Sequence, residues 1–384
     1  MIYKKIIAII IFLFLFFFFS NKLYSRNFEL SNIKCLQKSH VNSAYISAHM
    51  NKNGIISLKI LNSDNERICK LLVNQMCFKG TTTFFWNGKD DQGRIVPDDA
   101  YYFVIKAEDS NGITDVYNPT HISGGKKLYV EAYEKSDKIS FSLSKDARVR
   151  LRIGIHNGPL LKTLLDWKPL KAGTYSEEWD GKDDTGKIDV RELPYSLYIE
   201  AYTLPENTII TTGNDQDLLT YRLNLKNKKS EKSYSIESLA DEIKNIISNE
   251  KKVIKDTKQS GYHPNYSMSK IIDQAPKFSV TLDNPSPLKK NIENEGLIQT
   301  VKNTFSMSLH FEQLTDIILR NQPYEIISFI DNQFYYEEEQ GSYPYTLNID
   351  SRLLTNGKHV VTFNVSTMKG QVGSASVMIN VQNE

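Results

Sequence analysis

The sequence predicts an all-β chain of three β-sandwich domains in tandem, with one amphipathic helix in the connector between the second and third. Three observations predict it. The motif Trp86 to Ile95 returns at Trp179 to Ile188, 93 residues further on. The apolar residues around it alternate with polar ones, which is the period of a strand with one buried face. Clusters of Gly, Asn and Asp, such as Asn51 to Gly54, Asn62 to Asn65 and Asp109 to Gly112, break these runs at short intervals, as the turns of a sandwich do.

The N-terminus comes first in the chain and belongs to none of the three. Lys4 and Lys5 precede an unbroken apolar run of 14 residues, Ile6 to Phe19, followed by polar residues to Asn27. Residues 1–25 read as a secretory signal peptide, and the run falls short of the roughly 20 residues that span a bilayer. An uncleaved anchor is the second reading. Removing 1–25 takes away Lys4, Lys5 and Lys22, so the 47 basic groups of the whole chain fall to 44 against 45 acidic ones. No basic stripe remains to neutralise a phosphate backbone, which argues against nucleic acid as a partner.

The first two sandwiches are expected over residues 27–120 and 122–226. Carried upstream, the same offset aligns Ile56, Leu58 and Ile60 with Val149, Leu151 and Ile153; downstream it becomes 94 and aligns Tyr101, Phe103, Ile105 and Ala107 with Tyr195, Leu197, Ile199 and Ala201. Trp86 and Trp179 end strands and read as core anchors whose indole N–H needs one partner. The motif residues Gly88, Asp90, Asp91 and Gly93, with Asp180, Gly181, Asp183, Asp184 and Gly186 in the second copy, read as turn chemistry. Their side-chain oxygens cap the turn, and Gly93 or Gly186 supplies a positive φ.

These residues carry a resemblance. Gly-Thr, then Trp-Asp-Gly-Lys-Asp-Asp-x-Gly, then a Tyr opening an alternating strand is similar to the FlgD-type immunoglobulin-like domain, named after the flagellar hook-capping protein. The resemblance covers about residues 40 to 225 and implies an immunoglobulin-like sandwich and a bacterial source. It points less firmly to flagella, because similar domains occur as modules of exported proteins. Asn87 departs from the usual Asp, and Asp189 to Glu192 replaces the turn at Val96 to Asp99.

Residues 227–277 read as a polar linker with a helix at about 235–255, since Ile236, Leu239, Ile243, Ile246 and Ile247 recur at helical spacing and Ser233 or Ser235 offers a cap. The helix lies on its own domains or binds a partner. The third sandwich is expected over 278–384, with strands at Phe278 to Leu282, Ile326 to Asp331, Tyr345 to Ile349, Val360 to Val365 and Ala375 to Val381. Asn356-Gly357-Lys358-His359 leading into a core strand resembles a generic bacterial immunoglobulin-like module, which implies a fold and no function.

Chemistry is harder to find. The seven histidines are scattered, and neither a nucleophile elbow nor a phosphate-cradling loop is present, so no enzyme and no cofactor are expected. The motif carboxylates are spaced wrongly for a calcium loop of the helix-loop-helix kind, with Arg191 where the bidentate Glu would stand, so no metal is assigned. Cys69 and Cys77 are the preferred disulfide pair of three cysteines, with free thiols as the alternative. Glu337 to Glu339 among Tyr335, Tyr336 and Tyr343 is either an aromatic-acidic binding loop or a solvated one. The expected function is a structural, scaffolding or adhesive component of a bacterial envelope or surface, periplasmic or extracellular, with a protein or envelope glycan as partner. A hook-cap-like assembly factor and an accessory cell-wall-binding protein are the alternatives. Against the first stands the signal peptide, since a hook cap would travel through the flagellum's own channel.

Overall fold

The computed structural model describes residues 28–37, 42–214, 218, 221, 236–260, 272–283 and 298–383. The expected signal peptide, the candidate caps Ser233 and Ser235 and the turn Gly261 to Asn265 lie outside them.

Seven strands build the first sandwich: β1 (Leu30–Leu36), β2 (Ala44–Met50), β3 (Gly54–Leu61), β4 (Arg67–Cys77), β5 (Gly80–Trp86), β6 (Ala100–Asp109) and β7 (Thr114–Tyr117). One sheet runs β1-β2-β5 and packs on a second that runs β4-β3-β6, with β7 beyond β6. Strand β3 shows why the alternating runs fold this way: Ile56, Leu58 and Ile60 are buried, while Ile55 and Lys59 face out.

The second sandwich repeats the plan with β8 (Lys127–Leu128), β9 (Ala132–Lys135), β10 (Lys138–Leu143), β11 (Ala147–Ile155), β12 (Leu160–Leu170), β13 (Gly173–Glu178) and β14 (Tyr195–Thr203). Its sheets run β13-β10-β9 and β12-β11-β14-β8. Val149, Leu151 and Ile153 of β11 are buried at the positions matched to Ile56, Leu58 and Ile60. Each Trp ends up beside the Tyr of the following core strand, Trp86 with Tyr101 at 5.5 Å and Trp179 with Tyr195 at 5.3 Å between ring centroids.

After β14 the chain departs from the expected boundary. The expected second sandwich extends to residue 226, yet β15 (Ile209–Ile210) pairs with Ala100 and Tyr101 of β6 in the first. Leu218 and Tyr221 are buried in that same first core. The reason lies in β6, whose edge is covered by β7 only from Ile105 to Glu108. Ile209 and Ile210 fill the remaining edge with two buried β-branched side chains. Asn207 anchors the crossing, accepting from Cys35 N at 2.9 Å and donating to the Tyr117 hydroxyl at 2.8 Å.

Helix α1 (Ile236–Ser260) follows the linker, and the third sandwich comprises β16 (Phe278–Asp283), β17 (Gln299–Val301), β18 (Thr304–Phe311), α2 (Gln313–Leu319), β19 (Tyr324–Ile330), β20 (Gln333–Glu338), β21 (Tyr345–Asp350), β22 (Gly357–Thr367) and β23 (Val372–Val381). Its sheets run β16-β18-β21 and β17-β23-β22-β19-β20, with β17 parallel to β23. Ile243 and Ile246 of α1 are buried together with Ile317 and Ile318 of α2 and the first sandwich's core. The helix therefore lies on its own domains and bridges the first and third.

The disulfide expectation is overturned. Cys69 and Cys77 sit on one strand, β4, opposite Ile60 and Gly54, and all three cysteines are free thiols. Eight residues of extended chain separate them by roughly 26 Å, far beyond the roughly 7 Å that a bridge between Cα atoms tolerates.

Candidate functional site

The repeated motif forms a pair of closed turns. Asp90 Oδ1 accepts the N–H of Gln92 at 2.8 Å and of Arg94 at 2.9 Å, and its Oδ2 accepts from Arg94 Nε at 2.9 Å and the Tyr221 hydroxyl at 3.0 Å. Burial works to raise this carboxyl's pKa, but those donors outweigh it and hold the pKa below the ordinary value. Asp183 does the same in the second copy, accepting from Lys187 N, Ile188 N and the Thr185 hydroxyl at 2.9, 3.0 and 2.7 Å. Trp86 Nε1 donates to Lys89 O at 2.8 Å, and Trp179 Nε1 to Lys182 O at 2.9 Å.

The remaining motif residues fasten each turn to its neighbours. Asp91 Oδ1 accepts from Lys70 N at 2.7 Å and Asp184 Oδ2 from Thr163 N at 3.3 Å, which ties the loops to β4 and β12. Burial pushes the Asp184 carboxyl up to about 6, against the opposing pull of Lys162 and the Thr163 amide. Asp180 Oδ1 accepts from Lys182 N at 3.0 Å. Gly93 and Gly186 have φ of 79° and 70°. At Gly88 space also decides: a Cβ would stand 2.7 Å from the Asn42 backbone O. Among the described residues no group of three or more His, Cys, Asp or Glu is placed to hold a metal ion. What this arrangement can do is fix the hairpin and dock it on the adjoining strand.

A second set of polar groups, absent from the sequence reading, joins the sandwiches. Arg148 of β11 is fully buried and donates to Asp99 of the first sandwich at 2.8 Å, to the Ser63 hydroxyl, and to Trp167 O at 3.2 Å. Its neighbour Arg150 binds Glu200, reaches Gly370 O of the third sandwich at 2.7 Å, and lies 4.4 Å from the centroid of the Trp167 ring. Asn364 then clamps the Leu160 backbone, accepting from its N at 2.8 Å and donating to its O at 2.9 Å. The signal was in the repeat: Arg148 and Arg150 stand on the outward face of β11 at the positions of Ile55 and Ser57.

The tyrosine and glutamate cluster divides in two. Tyr335 and Tyr336 line a shallow groove of about 530 Å³ with Glu338, Tyr345 and Asn348. Tyr343 turns away and stacks on Phe311 at 4.9 Å.

No known protein family matches the sequence, and no curated protein does. Solved structures that resemble the chain include a tetra-tandem repeat from the extending region of a large adhesion protein, 12% identical, covering 92% of this chain and 74% of that one with a TM-score of 0.19. The central fibronectin-III array of RIM-binding protein is 10% identical, with 91% and 96% covered and a TM-score of 0.17. A Ca²⁺-stabilized adhesin with which an Antarctic bacterium binds ice is 10% identical, with 93% and 74% covered and a TM-score of 0.18.

Proposed function

We propose that this chain is an exported, non-enzymatic scaffolding or adhesive component of a bacterial cell envelope or surface, built from FlgD-type sandwiches. The observation that supports this reading is the jointing of the three sandwiches. Arg148 with Asp99 joins the first to the second, Arg150 and Asn364 join the second to the third, and α1 joins the third back to the first. Modules with buried joints hold a fixed relative orientation, whereas modules on open linkers do not. A fixed array suits a spacer that presents loops and strand edges at a set distance. Asp90 and Asp183 accept hydrogen bonds that close their turns, which supports an architectural part for the motif.

The test is location. Native cells are fractionated, intact cells are treated with protease, and the N-terminus of the recovered protein is sequenced. Recovery in the envelope, periplasm or medium with residues 1–25 removed is expected. Recovery from the cytosol with Met1 intact overturns the reading.

A further inference from the structure

Three times among the described residues a carboxylate beside an aromatic ring is completed by an arginine. Arg94 donates to Asp90 at 2.9 Å and lies 5.1 Å from the centroid of the Tyr221 ring, whose hydroxyl donates to the same carboxylate. Arg191 donates to Glu134 at 3.2 Å and lies 5.1 Å from the Trp179 ring, and the Tyr195 hydroxyl donates to that carboxylate too. Arg150 donates to Glu200 at 2.8 Å with the Trp167 ring at 4.4 Å. The third sandwich holds a fourth set, Tyr335, Tyr336, Tyr345 and Glu338, and among the described residues no arginine or lysine lines it.

This set lies on the open side of the sandwich. Strands β20 and β21 are each the last of their sheet, and the groove of about 530 Å³ is lined by both. Along β20 the pairing passes from Ser328 with Tyr336 to Phe329 with Phe334, so Tyr335 is the extra residue of a β-bulge, a device that re-aims side chains at a sheet edge. Tyr336 and Glu338 lie opposite Ser328 and Ile326, which are fully buried, and so share their inner side. Leu347 is buried beneath them, while Thr346 and Asn348 form a rim hydrogen-bonded to Ser308 and Ser306 of β18. Tyr345 is 6% exposed, and its hydroxyl is buried without a hydrogen-bond partner among the described residues. Burial, then Tyr336 and Glu338, push its pKa up to about 12, so it stays a neutral hydroxyl with lone pairs to offer. The adjacent Glu337 and Glu339 line a separate groove with Arg320, which Asp316 holds at 2.8 Å.

We propose that this groove takes an arginine side chain of a partner protein, its guanidinium stacked on the Tyr336 ring and paired with Glu338, with one N–H directed to the Tyr345 hydroxyl. The chain's own three sets show that arginine completes such a constellation, and here the lining offers one carboxylate, three tyrosines and no cation to compete. Tyr336 is half-exposed, so one face of its ring is open to an incoming group. Lysine suits the groove less, because a compact ammonium lacks the planar fork that stacks on a ring while it reaches two acceptors. The site names a partner chemistry for the scaffold reading and rests on that reading for its partner, yet binding is measured on purified chain, so either can fail while the other stands.

The probe is Nα-acetyl-arginine amide, titrated into the full chain carrying ring-labelled tyrosine and followed by NMR, beside Nα-acetyl-citrulline amide, which has the same shape and no charge. Saturable shifts of the Tyr335, Tyr336 and Tyr345 rings are expected with the arginine compound. The citrulline compound, or the arginine compound on Glu338→Gln, should bind about tenfold more weakly, since each removes one charge from a charged hydrogen bond. No shift at these rings, shifts confined to other tyrosines, equal binding of citrulline, or unchanged binding by Glu338→Gln each overturns the proposal. The citrulline comparison alters only the ligand, so a folding defect in the variant cannot mimic a negative result.

Discussion

Arg148 and Asp99 meet at 2.8 Å across the boundary between the first two sandwiches, with 0% and 2% of their side chains exposed. Burial weakens the guanidinium's hold on its proton, and the Asp99 carboxylate more than restores it, so the Arg148 pKa lies above the ordinary value. Such a pair is costly to break from one side, because the survivor is left as a buried charge. Arg148→Met or Asp99→Asn is expected to lose about 3–5 kcal/mol in denaturant unfolding. Joint replacement by apolar residues of similar size should cost much less than the sum of the single losses. Additive losses would show that the two do not act as a pair.

The two anchors should be equivalent despite their different loops. Trp86 and Trp179 each fill a core beside a Tyr ring and spend their indole N–H on a carbonyl of the same turn. Replacement by Ala is expected to cost about 3–5 kcal/mol at either site. Differential scanning calorimetry of the two variants checks it, and a negligible loss at one would remove that Trp from the core.

Calcium should leave the protein unmoved. The Asp90 and Asp183 oxygens already accept from backbone and side-chain donors within each turn, and a cation would have to displace them. The expected melting temperature is the same in chelator and in millimolar calcium. A rise of several degrees on adding calcium would assign those carboxylates to a metal.

How much of this was legible in the sequence depends on whether an interaction is local. Ile56, Leu58 and Ile60 announce a strand because burial on one face imposes a period of two, and the repeat at Val149, Leu151 and Ile153 doubles the evidence. The Trp-Asp-Gly turns were readable because each closes within ten residues of its own chain. Ile209 and Ile210 were misplaced because a two-residue strand carries no period, and its partner lies more than 100 residues upstream. Arg148 stands on the outward face of β11, where strand periodicity gives no sign of a partner, and only assembly shows that this face meets another domain. Cys69 and Cys77 stand close in sequence, but they lie eight positions apart on one strand, which keeps them from meeting.

The return segment should matter to the first sandwich more than to the second. Tyr221 is buried in the first core and donates to Asp90, and Arg94 lies 5.1 Å from its ring centroid. Tyr221→Phe removes one hydrogen bond to a carboxylate and is expected to cost about 1.5–3 kcal/mol. Hydrogen exchange should localise the loosening to β15 and the Asp90 turn, leaving the Asp183 turn unchanged. Loosening around Asp183 would contradict the assignment of this segment to the first sandwich.

His359 makes the third sandwich sensitive to pH. Burial disfavours the charged ring, but Asp331 Oδ2 at 2.6 Å and the Thr355 carbonyl at 2.8 Å outweigh it and raise the pKa above the ordinary 6.5. A folded-state pKa above the unfolded one means that the folded chain holds the proton more tightly. The added stability is then complete below about 6.5 and disappears as pH rises through the raised value. His359→Gln should therefore destabilise the chain more at pH 5.5 than at pH 8.5, measured by urea unfolding at both. Asp331 is half-exposed, so added salt should shrink the difference. A penalty that stays the same across this range would mean that His359 contributes packing and neutral hydrogen bonds, with no part for its charge.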